Sequence, residues 1–205
     1  MEQRTKEWLE ARKGVFTASN IWKLLGKSLN TETAKTYIRE KAMEILGIEI
    51  PSFTTPAMQW GTDNEALAFR FAKRRLGIDF KEVGFQKDYD LNLGGSADGI
   101  SENHALEIKC PFNTSEHIKH KLEIKNGETL FIHKPEYYYQ LQCNMMVYQK
   151  NKGYFVSFDP RLDKNLGWHA VEIEDHVGTQ VLIQERVKQA TLILNEYLNL
   201  LNPNT

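Results

Sequence analysis

The sequence predicts an α/β or α+β fold in which a central mixed β-sheet is flanked by helices. Three observations predict it. Helical patterns come first and fill most of the chain up to residue 76. Short apolar runs with strand character follow, between about residues 80 and 173. Helical stretches interrupt those runs, so the strands are not one continuous meander.

The elements follow in order. Thr5 can cap a helix over about 5–13 that stops at Gly14. A second helix is expected from Thr17 to Leu25, ended by Gly26, and a third over about 32–46. Residues 56–76 read as one helix, because Pro56 suits a first turn and Gly77 suits the position just past the end. Strands are expected near 80–87, 94–100 and 105–110. A helix near 114–125 leads to a loop around Asn126-Gly127 and His133-Lys134-Pro135. A helix over about 136–149 precedes strands at 153–158 and 168–173. A final helix from Asp175 to Leu201 carries Val177, Val181, Leu182, Val187, Ile193 and Leu194, and the Pro-Asn-Thr tail is expected to fray. There is no internal repeat or low-complexity segment. The loop 47–56 is too short to separate domains, so residues 1–205 are read as one domain.

Composition bounds the function. With 205 residues and 41% hydrophobic content the chain can bury a real core. No run reaches ~18 apolar residues, so no membrane span is expected. The N-terminus, Met-Glu-Gln-Arg-Thr-Lys, has no apolar segment of the secretory kind. Cys110 and Cys143 lie in apolar company without zinc or redox spacing, which points to reduced thiols in a cytoplasmic protein. The net charge of −1 excludes bulk electrostatic coating of DNA. A grip on DNA would need local clusters. The candidates are Lys73-Arg74-Arg75, the run from His117 through Lys119, His120 and Lys121 to Lys125, and Lys23 with Lys27, each of which also reads as a solvated face.

The chemistry concentrates in Gly95-Ser96-Ala97-Asp98-Gly99-Ile100 and Leu106-Glu107-Ile108-Lys109. Alternate side chains of a strand share a face, so Glu107 and Lys109 point one way while Leu106, Ile108 and Cys110 point into a core. Asp98 sits at a turn nine positions before Glu107. Two carboxylates and one ammonium at one point are costly unless a cation sits among them. Asp98 and Glu107 offer the hard oxygens that Mg²⁺ prefers. Lys109 could orient or deprotonate a water beside that metal, or steady charge on a phosphorane. The reaction this suggests is metal-assisted hydrolysis of a phosphodiester. The bland alternative is a turn followed by an exposed strand face, and Leu122-Glu123-Ile124-Lys125 repeats the same letters in a polar helical run.

Other residues keep the first copy company. Glu65, in the middle of the 56–76 helix, can supply a third carboxylate or simply be solvated. Gln140, flanked by Tyr137, Tyr138 and Tyr139, can hydrogen-bond a nucleotide or be ordinary helix packing. Near the N-terminus, Arg12 offers a charged fork, Thr17 and Ser19 offer hydroxyls, and a helix start offers free N–H groups. Two capped helices with an exposed arginine would look the same. Trp8 reads as core, or as an aromatic that stacks on a base.

Taken together, these blocks resemble the lambda-exonuclease/YqaJ viral recombinase family of the PD-(D/E)xK nuclease superfamily. The blocks are Trp8, Arg12, Gly14 and Thr17-Ala18-Ser19; Gly61 with Glu65; Ser96 to Gly99; Leu106 to Pro111; Tyr137 to Gln142; and Tyr154-Phe155 with Phe158-Asp159-Pro160-Arg161. Ala97 stands where the superfamily has a proline. The resemblance implies a restriction-endonuclease-like core with N-terminal helices. It implies that Glu65, Asp98, Glu107 and the Ile108 carbonyl hold two Mg²⁺ ions, which Mn²⁺ could replace. Lys109 would be the catalytic lysine, with Glu107, Asp98 and Gln140 in the reacting group and Tyr137 beside it. Arg12, Thr17 and Ser19 would hold the 5′-phosphate of a DNA end. The expected activity is a 5′→3′ double-strand DNA exonuclease of phage or prophage recombination, releasing mononucleotides and leaving 3′ overhangs. A ring trimer around duplex DNA, a single-strand annealing partner and a bacterial cytoplasmic location are implied with it. Two alternatives remain, another nuclease of the superfamily (structure-specific or end-trimming) and a non-catalytic DNA-binding module.

Overall fold

Strand β5 (His104–Lys109) anchors the fold, because both of its faces are covered. The computed structural model describes residues 5–51 and 53–202. The readings made for residues 1–4 and for the Pro203–Thr205 tail lie outside them.

The larger sheet has four strands in the order β4 (Gly99–Ile100), β5, β6 (Lys152–Phe158) and β7 (Trp168–Glu174). β4 and β5 are antiparallel, β5 and β6 parallel, β6 and β7 antiparallel, so the sheet is mixed as expected. Leu106 and Ile108 join Ala68, Phe69, Ala72, Phe80, Val156 and Phe158 in one core. Ala105 on the other face joins Leu141, Met145, Phe155 and Ile173 in a second. A strand covered on both sides needs apolar residues at successive positions, and Ala105-Leu106 and Ile108 supply them.

The first of these cores is capped by α3 (Pro56–Leu76). Thr55 accepts from Met58 N at 3.2 Å, Pro56 opens the first turn, and Gly77 closes the helix at φ +67°. The second is covered by α6 (Pro135–Val147), which also borders a third core. That third core gathers Phe16, Ile21, Leu24, Tyr37, Ile38, Cys143, Ile183, Val187 and Leu194. It joins α2 (Glu32–Ile45) and α7 (Val177–Leu201) to α6. Along α7 the buried stripe is Ile183, Val187, Ala190 and Leu194, at helical spacing, while Val177 and Val181 are exposed.

Helix α1 (Lys6–Arg12) has the expected Thr5 cap. The expected helix from Thr17 differs. Phe16–Thr17 form β1, parallel to β3 (Leu93–Gly95), and Ala18–Leu24 form a 3₁₀ turn. The expected 80–87 strand reduces to β2 (Gln86–Lys87), with one further bridge from Lys81 to Ile100. β2 pairs with β3 in a small second sheet. The expected strand 94–100 is split, with Gly95 in the small sheet and Gly99 in the large one. Long-range neighbours dictate the split. A Cβ on Gly95 would meet Asn144 Oδ1 at 2.3 Å, and one on Gly99 would meet Phe69 at 2.7 Å. The crossing between the sheets carries Asp98. The expected loop after α4 (Thr114–Glu123) contains a helix, α5 (Gly127–His133). Asn126 caps it, accepting from Thr129 N at 2.9 Å, and Leu130 is buried beneath it.

Among the described residues no helix is long and apolar enough to cross a membrane.

Candidate active site

Strand β5, α3, α6 and the 3₁₀ turn that carries Ser19 meet at one cleft of about 680 Å³. Glu65, Ile108, Lys109, Tyr137 and Gln140 line it, together with Ser19 and Gly61. Glu107, next to Lys109 in the strand, is 1% exposed. The period of the strand turns both toward α6. Lys109 Nζ donates to Glu107 Oε1 at 2.6 Å and to Gln140 Oε1 at 3.1 Å. It also lies 4.7 Å from the centre of the Tyr137 ring, a favourable place for a cation. Tyr137 is itself stacked on Phe155. Asp98 Oδ2 accepts the backbone N–H of Ile108 at 2.5 Å, which ties the crossing to the strand.

The electrostatics are unbalanced. Burial raises the pKa of Asp98 well above the carboxylate range, and the charges of Glu107 and Glu65 raise it further. Burial also raises Glu107, against the opposing pull of Lys109, and Glu65 adds to the rise. Burial would lower Lys109, but Glu107 and Asp98 outweigh it and the net shift is upward, so Lys109 is an ammonium. Two carboxylates therefore act on one ammonium in a desolvated setting, and a third, Glu65, acts on both of them. Among the described residues no group of three or more His, Cys, Asp and Glu side chains is placed, as they stand, to hold a metal ion. The donors are nevertheless all hard oxygens with surplus negative charge, and this chemistry fits a divalent cation of the Mg²⁺ kind.

The phosphate-site candidates divide between two places. Arg12 stacks over Trp8, 4.0 Å from the ring centre, with Phe85 at 5.6 Å. Among the described residues its guanidinium makes no hydrogen bond or ion pair. Burial lowers its pKa. Arg12 and Thr17 line a depression of about 510 Å³, whereas Ser19 lines the cleft. Thr17 Oγ1 links them, 3.4 Å from Ser19 Oγ and 3.3 Å from Tyr37 Oη. The Thr17 N–H is already given to Tyr37 Oη at 2.9 Å. Thr17 therefore supports Ser19, and its backbone is not an open helix start.

The structural roles of three contributors were not read from the sequence. Asn144, fully buried on α6, donates to Glu107 Oε2 at 3.2 Å. Ser96 accepts from Trp8 Nε1 at 3.0 Å and so joins α1 to the crossing that carries Asp98. Arg161 forks onto Asp159 with two contacts of 2.8 Å and donates to the carbonyls of Phe112 and Pro111. It thereby fixes the loop that follows Lys109. Ser96 and Arg161 lay within the blocks singled out in the sequence, whereas Asn144 carried no signal.

The basic runs are largely engaged within the fold. His117 and His120 are buried and share the Ser157 hydroxyl. Lys121 donates to two backbone carbonyls, Lys73 pairs with Asp79, and Arg75 donates to Lys164 O. The second Glu-x-Lys copy lies at the end of α4, where Lys125 Nζ donates to Lys121 O. Cys110 and Cys143 are free thiols. Burial pushes Cys110 up to about 12 and raises Cys143 as well.

Comparison with known proteins agrees with this geometry. Two crystal structures of LHK-Exo, an alkaline exonuclease from Laribacter hongkongensis, superimpose with TM-scores of 0.87 and 0.86 at 28% identity. The match covers 97% of this chain and 97% of that one, and the first of the two structures is a complex with dAMP. A phage-related exonuclease from Haemophilus somnus 129PT shares the fold at 17% identity, with a TM-score of 0.77 over 91% of this chain and 96% of that one. No curated protein sequence matches significantly. The family model of the YqaJ-like viral recombinase domain matches residues 7–151, and the chain belongs to that family.

Proposed function

We propose that the protein is a Mg²⁺-dependent exodeoxyribonuclease that digests one strand of duplex DNA from its 5′ end. It releases mononucleotides and leaves a 3′ single-stranded tail for recombination. The observation that carries this reading is the buried Glu107–Lys109 pair, with Asp98 tied to the same strand, behind a cleft that Lys109 lines together with Glu65 and Gln140. The likeness to an exonuclease crystallised with dAMP, a mononucleotide, supports the product class.

Each residue has a separate task. Lys109, held as an ammonium between Glu107 and Gln140, presents a donor to the phosphoryl oxygens on which negative charge grows. Gln140 and Tyr137 fix its direction. Asn144 fixes Glu107. Two divalent ions held by Asp98, Glu107, Glu65 and the Ile108 carbonyl would supply activation of the attacking water and neutralisation of the leaving oxygen. Mn²⁺ could replace Mg²⁺. Strand polarity comes from the end-recognition residues, because a hydrolytic centre alone does not distinguish the two directions. Arg12, with no hydrogen-bond partner among the described residues, offers a fork to a terminal phosphate, and Ser19 offers a hydroxyl from the cleft side.

The same reading includes a ring trimer that encloses the duplex, a single-strand annealing partner and action in the cytoplasm of a bacterial host. The ring would concentrate weak basic patches in one channel, as a net charge of −1 requires. The test is product analysis on linear duplex labelled at either 5′ or 3′ ends, with and without Mg²⁺. Mononucleotides from the 5′-terminated strand alone are expected. Internal fragments would favour an endonuclease, and intact DNA a non-catalytic binding module.

A further inference from the structure

Gly61 lies in the interior of α3, where glycine is the least favourable residue apart from proline. The fold gives no reason for it. A Cβ at this position would meet nothing within 4 Å, and the backbone there is not left-handed. Gly26 is equally open but lies just past the 3₁₀ turn, outside any helix interior. Gly47 and Gly77 have φ of +72° and +67° and close helices.

The position of Gly61 on the helix is informative. Gly61, Glu65, Ala68 and Ala72 follow one stripe at spacings of four, three and four. At the C-terminal end of the stripe Ala68 and Ala72 are fully buried against the sheet. There the chain itself sits close to the helix and alanine suffices. At the N-terminal end the stripe overhangs the cleft, and Met58, Gly61, Thr62 and Glu65 line it opposite Lys109, Tyr137 and Gln140. A residue that weakens the helix, faces the cleft and has no neighbour to its Cβ among the described residues makes room for something that enters from outside.

We propose that Gly61 is a specificity-determining residue, the point where the sugar–phosphate chain of the strand being cut rests directly on the backbone of α3. The proposal rests on the nuclease reading above. The contact is steric: a side chain at 61 would hold the strand away from Lys109 by about the width of the added group. The cleft volume of about 680 Å³ lies in the range of small-ligand sites and leaves room for a nucleotide in this approach.

The experiment compares wild type, Gly61→Ala, Gly61→Leu and the control Ala66→Leu, an exposed α3 position outside the cleft. Thermal unfolding, oligomeric mass by light scattering and kcat/KM on a 5′-phosphorylated duplex with Mg²⁺ are measured for each. Gly61→Ala should raise Tm by about 2–4 °C, because it removes a helix-weakening residue without a clash. It should leave the mass unchanged and lower kcat/KM about 10-fold or more, the cost expected when a group is forced into an occupied contact. Gly61→Leu should lower it further, and Ala66→Leu should not. A raised Tm with unchanged kcat/KM overturns the proposal and leaves the nuclease reading intact. A lowered Tm overturns it by showing that the fold fills the space. A changed mass overturns it by making a second copy of this chain the neighbour. A wild-type protein that releases no nucleotides overturns the nuclease reading and the proposal together.

Discussion

Asn144 donates its side-chain amide to Glu107 Oε2 at 3.2 Å, one helical turn beyond Gln140, whose Oε1 accepts from Lys109 at 3.1 Å. One buried helix thus holds both members of the Glu-x-Lys pair. The other end of the Asn144 amide, Oδ1, has no hydrogen-bond partner among the described residues and rests against Gly95. Asn144→Ala should leave Glu107 Oε2 without its donor. A loss of about 1–3 kcal/mol in stability and a clear fall in turnover are expected. Gly95→Ala should produce the same turnover defect by displacing Asn144, since its Cβ would lie 2.3 Å from Oδ1. Denaturant titration and kcat measure the two effects, and full activity in both variants would show that Glu107 holds its place unaided.

The two Glu-x-Lys copies should separate cleanly. Lys109→Ala should cost about 10²-fold or more in rate, the scale of a positioned charged donor. Lys125→Ala should change the rate little, because its ammonium serves only the end of α4. Equal losses would assign the chemistry to the wrong strand.

Arg12 should govern the preference for phosphorylated ends. Wild type should digest 5′-phosphorylated duplex faster than 5′-hydroxyl duplex. Arg12→Ala should shrink that ratio about 10-fold or more, as expected for a charge-assisted contact of ~1.5–3 kcal/mol. The slow hydroxyl-ended reaction should barely change. An equal fall on both ends would make Arg12 a structural residue of the Trp8 stack.

Stability should fall in mild acid. Burial pushes His120 down to about 4, and burial also lowers His117 and His169. The His120 Nε2 is buried without a hydrogen-bond partner among the described residues. The unfolded chain protonates these rings near pH 6.5, and the folded chain at lower pH, about 4 for His120. The unfolded state therefore binds more protons across this interval, and stability is complete above about 6.5 and is lost as pH falls toward 4. For His120 alone the loss is on the order of 3 kcal/mol. Tm measured from pH 7 to pH 4.5 should drop, and His120→Phe should flatten the drop. A flat wild-type profile would contradict the neutral, buried assignment.

Local signals made part of this structure legible. Helix α3 runs from the expected proline to the expected glycine because caps are decided by neighbours in sequence. Glu107 and Lys109 were legible because a strand has a fixed period. The break between β3 and β4 was not, since it answers Asn144 and Phe69, residues far along the chain. Asn144 was hidden for the same reason, as a buried amide on an apolar helix reads like any other polar interruption. Helix α5 was missed although its cap, Asn126 with Thr129, was in view, because Asn-Gly reads first as a turn. The His117–Lys125 run, counted as a basic face, holds two histidines that the core needs for Ser157.

The central claim is that Asp98 and Glu107 form one divalent-metal unit for phosphodiester hydrolysis. The most direct measurement is Mg²⁺-dependent nucleotide release by wild type, Asp98→Ala, Glu107→Ala and the double variant. DNA binding in Ca²⁺ is followed in parallel. Each single substitution should remove nearly all hydrolysis, and the double should lose little more, as for residues that act together. DNA binding in Ca²⁺ should survive in wild type. Near-wild-type release by either single variant, or hydrolysis that is indifferent to Mg²⁺, would contradict the account.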